Sequence, residues 1–318
     1  MPETPKVLLV GKVRQRVAER LGDAVELVRC TAPLAPGMLD PVIAAEIRGV
    51  AVSGSFDGVA FKCLPNLEII ANFGVGYDGV DIGSAAARGI VVTNTPDVLN
   101  DEVADTAIGL LLNTLRRFPE AETWLREGRW KRSGPFPLSR LTLRGRSVGI
   151  YGLGRIGLEI AKRLEGFGVS ISYHTRTMRP EAPYVYHSTL IGMAEAVDTL
   201  IAIVPKTADT YKTINAEVLS ALGPNGVLVN VGRGWTVDEQ ALAEALEAGT
   251  IAAAGLDVFQ DEPHVPAALL AAPNTCLLPH VASASVATRD AMADLVADNL
   301  LAWFSTGRPL TPVPETPA

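Results

Sequence analysis

The sequence predicts an α/β chain built as two doubly wound parallel-sheet domains. Two observations carry this. Apolar runs of strand length alternate with helical stretches along nearly all 318 residues, as in sheets covered by helices on both faces. These runs fall into two series, and a glycine-rich strand-to-helix turn opens the second, so the first belongs to another domain.

In the first series, strands are expected over 6–10, 25–29, 50–53, 67–71 and 90–93. The fourth runs into Asn72-Phe73-Gly74-Val75-Gly76-Tyr77-Asp78-Gly79. Backbone N–H groups of such a loop can form an anion-binding concavity, or its glycines can serve turn geometry alone. An apolar helix follows over 102–115, then Arg116-Arg117 and an amphipathic segment from Pro119 to Gly128, with Trp124 and Trp130 nearby. The stretch 102–140 reads as an arm that joins the domains and packs on a second subunit, or as a plain linker. The second series starts at Val148 and continues over 170–173, 199–204, 227–231, 252–256 and 276–278. A long helix over 286–304 returns to the first domain, which makes that domain discontinuous. The expected division is 1–99 with 288–318 around a cofactor domain of 100–287. A proline-rich tail closes the chain.

Bulk properties exclude several classes. With 28 basic against 35 acidic residues the net charge is −7, which is no electrostatic footprint for nucleic acid. Cys30, Cys63 and Cys276 are odd in number and far apart, without a C-x-x-C, so neither a disulfide framework nor a metal site is expected. Val7-Leu8-Leu9-Val10 is too short for a signal peptide, and no run approaches a membrane span. The expected location is the cytoplasm.

The run Val148-Gly149-Ile150-Tyr151-Gly152-Leu153-Gly154-Arg155-Ile156-Gly157 is a strand breaking into G-x-G-x-x-G and then a helix. Gly152 permits the tight turn, Gly154 lets backbone approach a pyrophosphate, and Gly157 lets helix and strand pack closely. The helix start, with Arg155 and Ile156, offers N–H groups to the phosphates. This is the Rossmann dinucleotide fingerprint in its required context. The next strand ends in His174-Thr175-Arg176-Thr177, with no acid between Glu165 and Glu181. A carboxylate there would suit a ribose 2′-OH. Arg176 instead suits a 2′-phosphate, with Thr175 and Thr177 donating hydroxyl bonds, so the expected cofactor is NADP(H). The alternative is that Arg176 is a solvated loop charge.

Ligands of open α/β sheets lie beyond the carboxyl ends of the strands. There the sequence delivers Arg233 after Val229-Asn230-Val231-Gly232, Asp257 and Glu262 after the next strand, and His280 after the last. Hydride transfer to a 2-keto acid builds negative charge on the carbonyl oxygen. A guanidinium can grip the carboxylate and carbonyl, an imidazolium can give the proton, and a neighbouring carboxylate favours the charged imidazole. Arg233, Glu262 and His280 are the candidates. Asp257 either faces the cofactor amide or caps a helix end. His174, His187 and His264 are placed less favourably.

These residues resemble the D-isomer-specific 2-hydroxyacid dehydrogenase family from about Leu67 through Met292. The likeness rests on six motifs in order: 72–81, Val103-Ala104-Asp105, the glycine triplet, 230–234, Gly255-Leu256-Asp257-Val258 with Glu262-Pro263, and Pro279-His280. The resemblance implies a Rossmann cofactor domain, a flavodoxin-like substrate domain and a cleft between them. It gives Arg233, Glu262 and His280 the catalytic roles, with Arg233 and His280 also touching substrate, and has Val75 and Gly76 hold the substrate carboxylate by backbone. Asp257 would orient the nicotinamide carboxamide, and Thr106, Val204, Pro205, Val231 and His280 would line the cofactor site. Homodimers are usual. Within the family, residues 173–177 resemble NADP-using glyoxylate/hydroxypyruvate reductases and plant-type hydroxyphenylpyruvate reductases. The expected activity is NADPH-dependent reduction of small 2-keto acids, glyoxylate and hydroxypyruvate, to D-2-hydroxy acids. Reduction of bulkier aryl 2-keto acids is the nearer alternative, and a dinucleotide-sensing, co-repressor-like protein the more distant one.

Overall fold

A computed structural model describes residues 4–30 and 33–317. The chain divides into two compact units, Met1–Leu99 with Ala284–Ala318, and Asn100–Ser283.

The first unit holds strands β1 (Lys6–Gly11), β2 (Glu26–Cys30), β3 (Ile47–Ser53), β4 (Ile69–Asn72) and β5 (Val91–Thr93). They form a parallel sheet in the order β2-β1-β3-β4-β5, the flavodoxin-type arrangement. Successive side chains alternate between two apolar layers. Leu8, Val10, Val50, Val52 and Ile70 face one; Val7, Leu9, Ala51, Ile69 and Ala71 face the other. Burial on both faces is why these strands read as unbroken apolar runs. The helix Val286–Thr306 covers the second layer with Ala293, Val296, Ala297 and Leu300. Its outer side pairs Asp290, Asp294 and Asp298 with Arg14, Arg16 and Arg20. Ser285 caps its start by accepting the Thr288 N–H, and Gly307 at φ 71° ends it.

The second unit holds β6 (Ser147–Tyr151), β7 (Ser170–His174), β8 (Val185–Tyr186), β9 (Thr199–Ala202), β10 (Val227–Asn230), β11 (Ala253–Leu256) and β12 (Thr275–Leu277). All seven are parallel, in the order β12-β11-β10-β9-β6-β7-β8. The sheet grows outward both ways from β6 and β9, which puts the topological switch point between them. Strand β8 was not expected, because two residues give no periodic signal. The strand expected over 199–204 stops at Ala202, short of Pro205. The apolar helix spans Asn100–Arg116, and the arm beyond it forms helices Phe118–Arg126 and Arg129–Ser133, neither with a buried residue. Among the described residues, no helix is long and apolar enough to cross a membrane.

Candidate active site

The turn after β6 shows what each glycine does. Gly152 has φ 104°, and a Cβ there would lie 2.8 Å from the Ile203 carbonyl oxygen. On Gly157 a Cβ would lie 2.2 Å from the Gly152 oxygen. Both are demanded by the protein's own backbone. Gly154 differs, since a Cβ there meets nothing within 4 Å. The fold therefore leaves open space at Gly154, at the uncapped start of the helix Arg155–Glu165, where a phosphate is favoured. The turn fits a dinucleotide pyrophosphate.

At the end of β7 the Thr175 hydroxyl donates to the Thr177 carbonyl at 2.7 Å, and Arg176 is exposed. Glu181, the first acid after the strand, is exposed and sits 3.8 Å from Arg179. His174 is tied through Nδ1 to the His187 carbonyl at 2.8 Å and stacks on Tyr151. Arg176 is thus the charge presented here.

On the other side of the switch point, β10 ends in a tight turn. The buried Asn230 amide accepts the Gly232 N–H at 3.0 Å and donates to the Arg233 carbonyl at 2.9 Å, and the Thr236 hydroxyl donates to the same carbonyl at 2.8 Å. Gly234 is forced, because a Cβ would lie 1.9 Å from the Phe259 carbonyl carbon. Close contact between the two loops brings Arg233 near the segment that carries Glu262.

His280 Nδ1 lies 2.7 Å from Glu262 Oε2, while Glu262 Oε1 accepts the Phe259 N–H at 2.9 Å. Burial raises the Glu262 carboxyl, but the His280 hydrogen bond, the Phe259 N–H and the charges of His280 and Arg233 outweigh it. The net effect holds the group below its ordinary value. His280 occupies the left-handed region at φ 53°, a conformation that costs about 1–3 kcal/mol for a residue other than glycine. Asp257 holds it there. The fully buried Asp257 carboxylate accepts the N–H groups of Val281 at 2.7 Å and Ala282 at 2.9 Å, and its carbonyl accepts the His280 N–H at 2.8 Å. Burial pushes the Asp257 carboxyl above its ordinary value, against the lowering by these N–H groups. Thr106 closes the same turn by donating to the Ala282 carbonyl at 3.1 Å. Arg233, Asp257, Glu262 and His280 therefore meet in one cluster. Val204 and Val231 are buried at the ends of β9 and β10, with Pro205 exposed beyond β9.

In the first unit, side chains turn the carbonyls of the glycine loop inward. Asn72 Nδ2 donates to the Gly74 oxygen at 3.1 Å and the Gly76 oxygen at 3.0 Å, and Asn94 Nδ2 donates to the Val75 oxygen at 2.9 Å. The Thr95 N–H also reaches the Gly74 oxygen, at 3.0 Å. Among the described residues, the Val75 and Gly76 N–H groups have no acceptor. That is the polarity an anion-binding loop requires.

Sequence reasoning missed Asn72, Asn94, Asn230 and Glu239. Glu239 is 8 % exposed and accepts the Gln260 N–H at 2.7 Å, bracing the loop that carries Glu262. The only signal was a polar residue at the end of a wholly apolar strand, which Asn72 and Asn230 share.

Residues 108–282 match the family described as D-isomer specific 2-hydroxyacid dehydrogenase, NAD binding domain. The chain belongs to this family. Among solved structures, this dehydrogenase is 65% identical to the NADPH-dependent glyoxylate/hydroxypyruvate reductase of Sinorhizobium meliloti in complex with NADP and malonate, with TM-score 0.96, covering 99% of this chain and 98% of that one. It is 49% identical over 269 residues to a glyoxylate/hydroxypyruvate reductase of Arabidopsis thaliana, covering 84% of this chain and 85% of the relative. It is 50% identical over 258 residues to the hydroxyphenylpyruvate reductase of Plectranthus scutellarioides, covering 81% and 82%.

Proposed function

We propose that the protein is an NADPH-dependent reductase of small 2-keto acids, glyoxylate and hydroxypyruvate first, yielding D-2-hydroxy acids. The observation that carries this reading is the 2.7 Å pair of His280 and Glu262, held on the buried Asp257 beside Arg233. NADPH, when bound, supplies the hydride to the carbonyl carbon. His280 keeps Nδ1 on Glu262 and gives the proton from Nε2 to the carbonyl oxygen, so the keto acid gains one hydride and one proton. Glu262 favours the charged imidazole and fixes its orientation. Arg233 grips the carboxylate and polarises the carbonyl. The Val75 and Gly76 N–H groups take the carboxylate as well.

Gly152, Gly154, Arg155, Ile156 and Gly157 would hold the pyrophosphate, and Thr175, Arg176 and Thr177 the 2′-phosphate. Thr106, Val204, Pro205, Val231, Asp257 and His280 would border the nicotinamide half. The reductase of Sinorhizobium meliloti, solved with NADP, supports this cofactor. Phe118, Leu125, Trp130 and Leu138 expose apolar surface on the arm, with Leu138 93% exposed, which supports a homodimer joined there. Three separate free cysteines suit the reducing cytoplasm.

A second reading, reduction of aryl 2-keto acids, has its own support. Phe259, Val265, Leu270, Leu277 and Leu278 line an apolar recess of about 290 Å³ against Glu262 and His280. The test is a panel of glyoxylate, hydroxypyruvate, phenylpyruvate and hydroxyphenylpyruvate with each reduced nicotinamide. The highest kcat/KM is expected for the small acids with NADPH. A preference for the aryl acids would overturn the first reading for the second, and no turnover of any would overturn both.

A further inference from the structure

The C-terminal segment returns to the glycine loop of the first unit and fastens to it twice. Strand β5 is the edge of its sheet, and the segment pairs along it. The Val313 N–H donates to the Val92 carbonyl at 2.8 Å, and the Thr316 hydroxyl accepts the Val92 N–H at 3.0 Å. At the start of the segment, the fully buried Asn299 accepts the N–H groups of Leu310 and Thr311 at 2.9 Å each, and donates to the Thr311 hydroxyl at 2.9 Å. The Thr311 hydroxyl in turn donates to the Asn94 carbonyl at 2.6 Å. Asn94 is the residue whose amide holds the Val75 carbonyl inward. The second fastening is direct, with the Tyr77 hydroxyl donating to both Glu315 oxygens at 3.1 and 3.2 Å.

These contacts bracket the loop. Asn94 holds the Val75 carbonyl, whose peptide plane carries the Gly76 N–H, and Glu315 holds the Tyr77 hydroxyl, so both neighbours of Gly76 are tied, one through Asn94 and one directly, to a segment more than 200 residues away in sequence. We propose that Thr311 and Glu315 are positioning residues that set the Gly76 N–H for the substrate carboxylate. The inference rests on the reading of that loop as the carboxylate clamp. Neither residue touches the substrate. Each acts by limiting the freedom of the residues that flank Gly76, beyond what Asn72 fixes from within the loop, and freedom there would weaken a directional N–H bond.

The experiment is steady-state kinetics on Thr311→Val, Thr311→Ser and Glu315→Ala in the full chain, with melting temperature and NADPH binding measured alongside. Loss of one such bond is expected to raise KM for glyoxylate by about 3- to 10-fold in T311V and E315A, leaving kcat within twofold and NADPH affinity unchanged. T311S, which keeps the hydroxyl, should restore KM. In a Tyr77→Phe background, E315A should add nothing. Unchanged KM in both T311V and E315A, or a rise in KM accompanied by loss of kcat and of NADPH affinity, would overturn the proposal. Gly76→Pro, or Val75→Pro where the first does not fold, separates the two layers. If removing the N–H leaves KM unchanged, the clamp reading fails and this inference with it. If it raises KM while T311V and E315A do not, only the inference fails.

Discussion

Two strand-end glycine turns in this dehydrogenase present backbone N–H groups, and they are built in opposite ways. The turn after β6 is shaped by contact between backbones: Gly152 and Gly157 have no room for a Cβ, and the helix that follows supplies the direction of the N–H groups. The loop after β4 is shaped by side-chain amides, with Asn72 and Asn94 pulling three carbonyls inward. The first site is rigid because atoms collide if it changes. The second is rigid only while its hydrogen bonds are made, so its geometry can be altered by changing residues that touch no ligand.

That contrast fails most visibly if the glycines are not divided as described. Gly157→Ala is expected to lower the melting temperature and to weaken NADPH binding by at least about 30-fold, because the turn must open to admit the methyl group. Gly154→Ala should melt like the wild type yet lose NADPH affinity, since the fold leaves that space open. Calorimetry and fluorescence titration check both. Equal melting temperatures for the two variants would mean that backbone collision does not shape the turn.

Next in size is the amide-built loop. Asn94→Ala removes the bond to the Val75 carbonyl and should raise KM for glyoxylate about fivefold, with NADPH affinity unchanged. Arg176→Asp places a carboxylate at the end of β7 and should shift the ratio of NADPH to NADH efficiency toward NADH by about tenfold, read from kcat/KM with each. An unchanged ratio would mean that the 2′-phosphate is read elsewhere.

The smallest effect concerns stability and pH. Glu262 is held below the ordinary glutamate value, so its charged form stabilises the fold. That contribution is complete above the unfolded value of about 4.3 and is lost as pH falls through the lower folded value. The melting-temperature gap between wild type and Glu262→Gln should therefore narrow as the solution is acidified through that window. A gap independent of pH would remove the charge from the account of this pair.

How much of this was legible follows the same division. The glycine triplet, Arg233 and His280 could be read from the sequence because each stands just past a run of apolar residues, where a polar or glycine residue has few structural reasons to be, and Glu262 because it follows in the loop after such a run. The burial of β1, β3 and β4 on both faces was equally plain from their unbroken apolar runs. What could not be read were contacts that depend on the return of the chain. Thr311 meets Asn94 across 217 positions, and Tyr77 meets Glu315 across 238. Asp257 was read as a residue for the cofactor amide or a helix cap. Its carboxylate engages the backbone of Val281 and Ala282, apolar residues whose N–H groups leave no mark in a sequence. Glu239 stands in the first turn of the helix Glu239–Glu247, where an acid is favoured without further reason, and only the fold buries it against Gln260.

The most direct test of the proton-donating pair and its arginine is single-turnover reduction of glyoxylate by Arg233→Ala and His280→Ala, each preloaded with NADPH. The expected result is a rate lowered by about 100- to 1,000-fold in each, with NADPH affinity within a few-fold of wild type. Wild-type turnover in either variant would contradict the roles given to these residues.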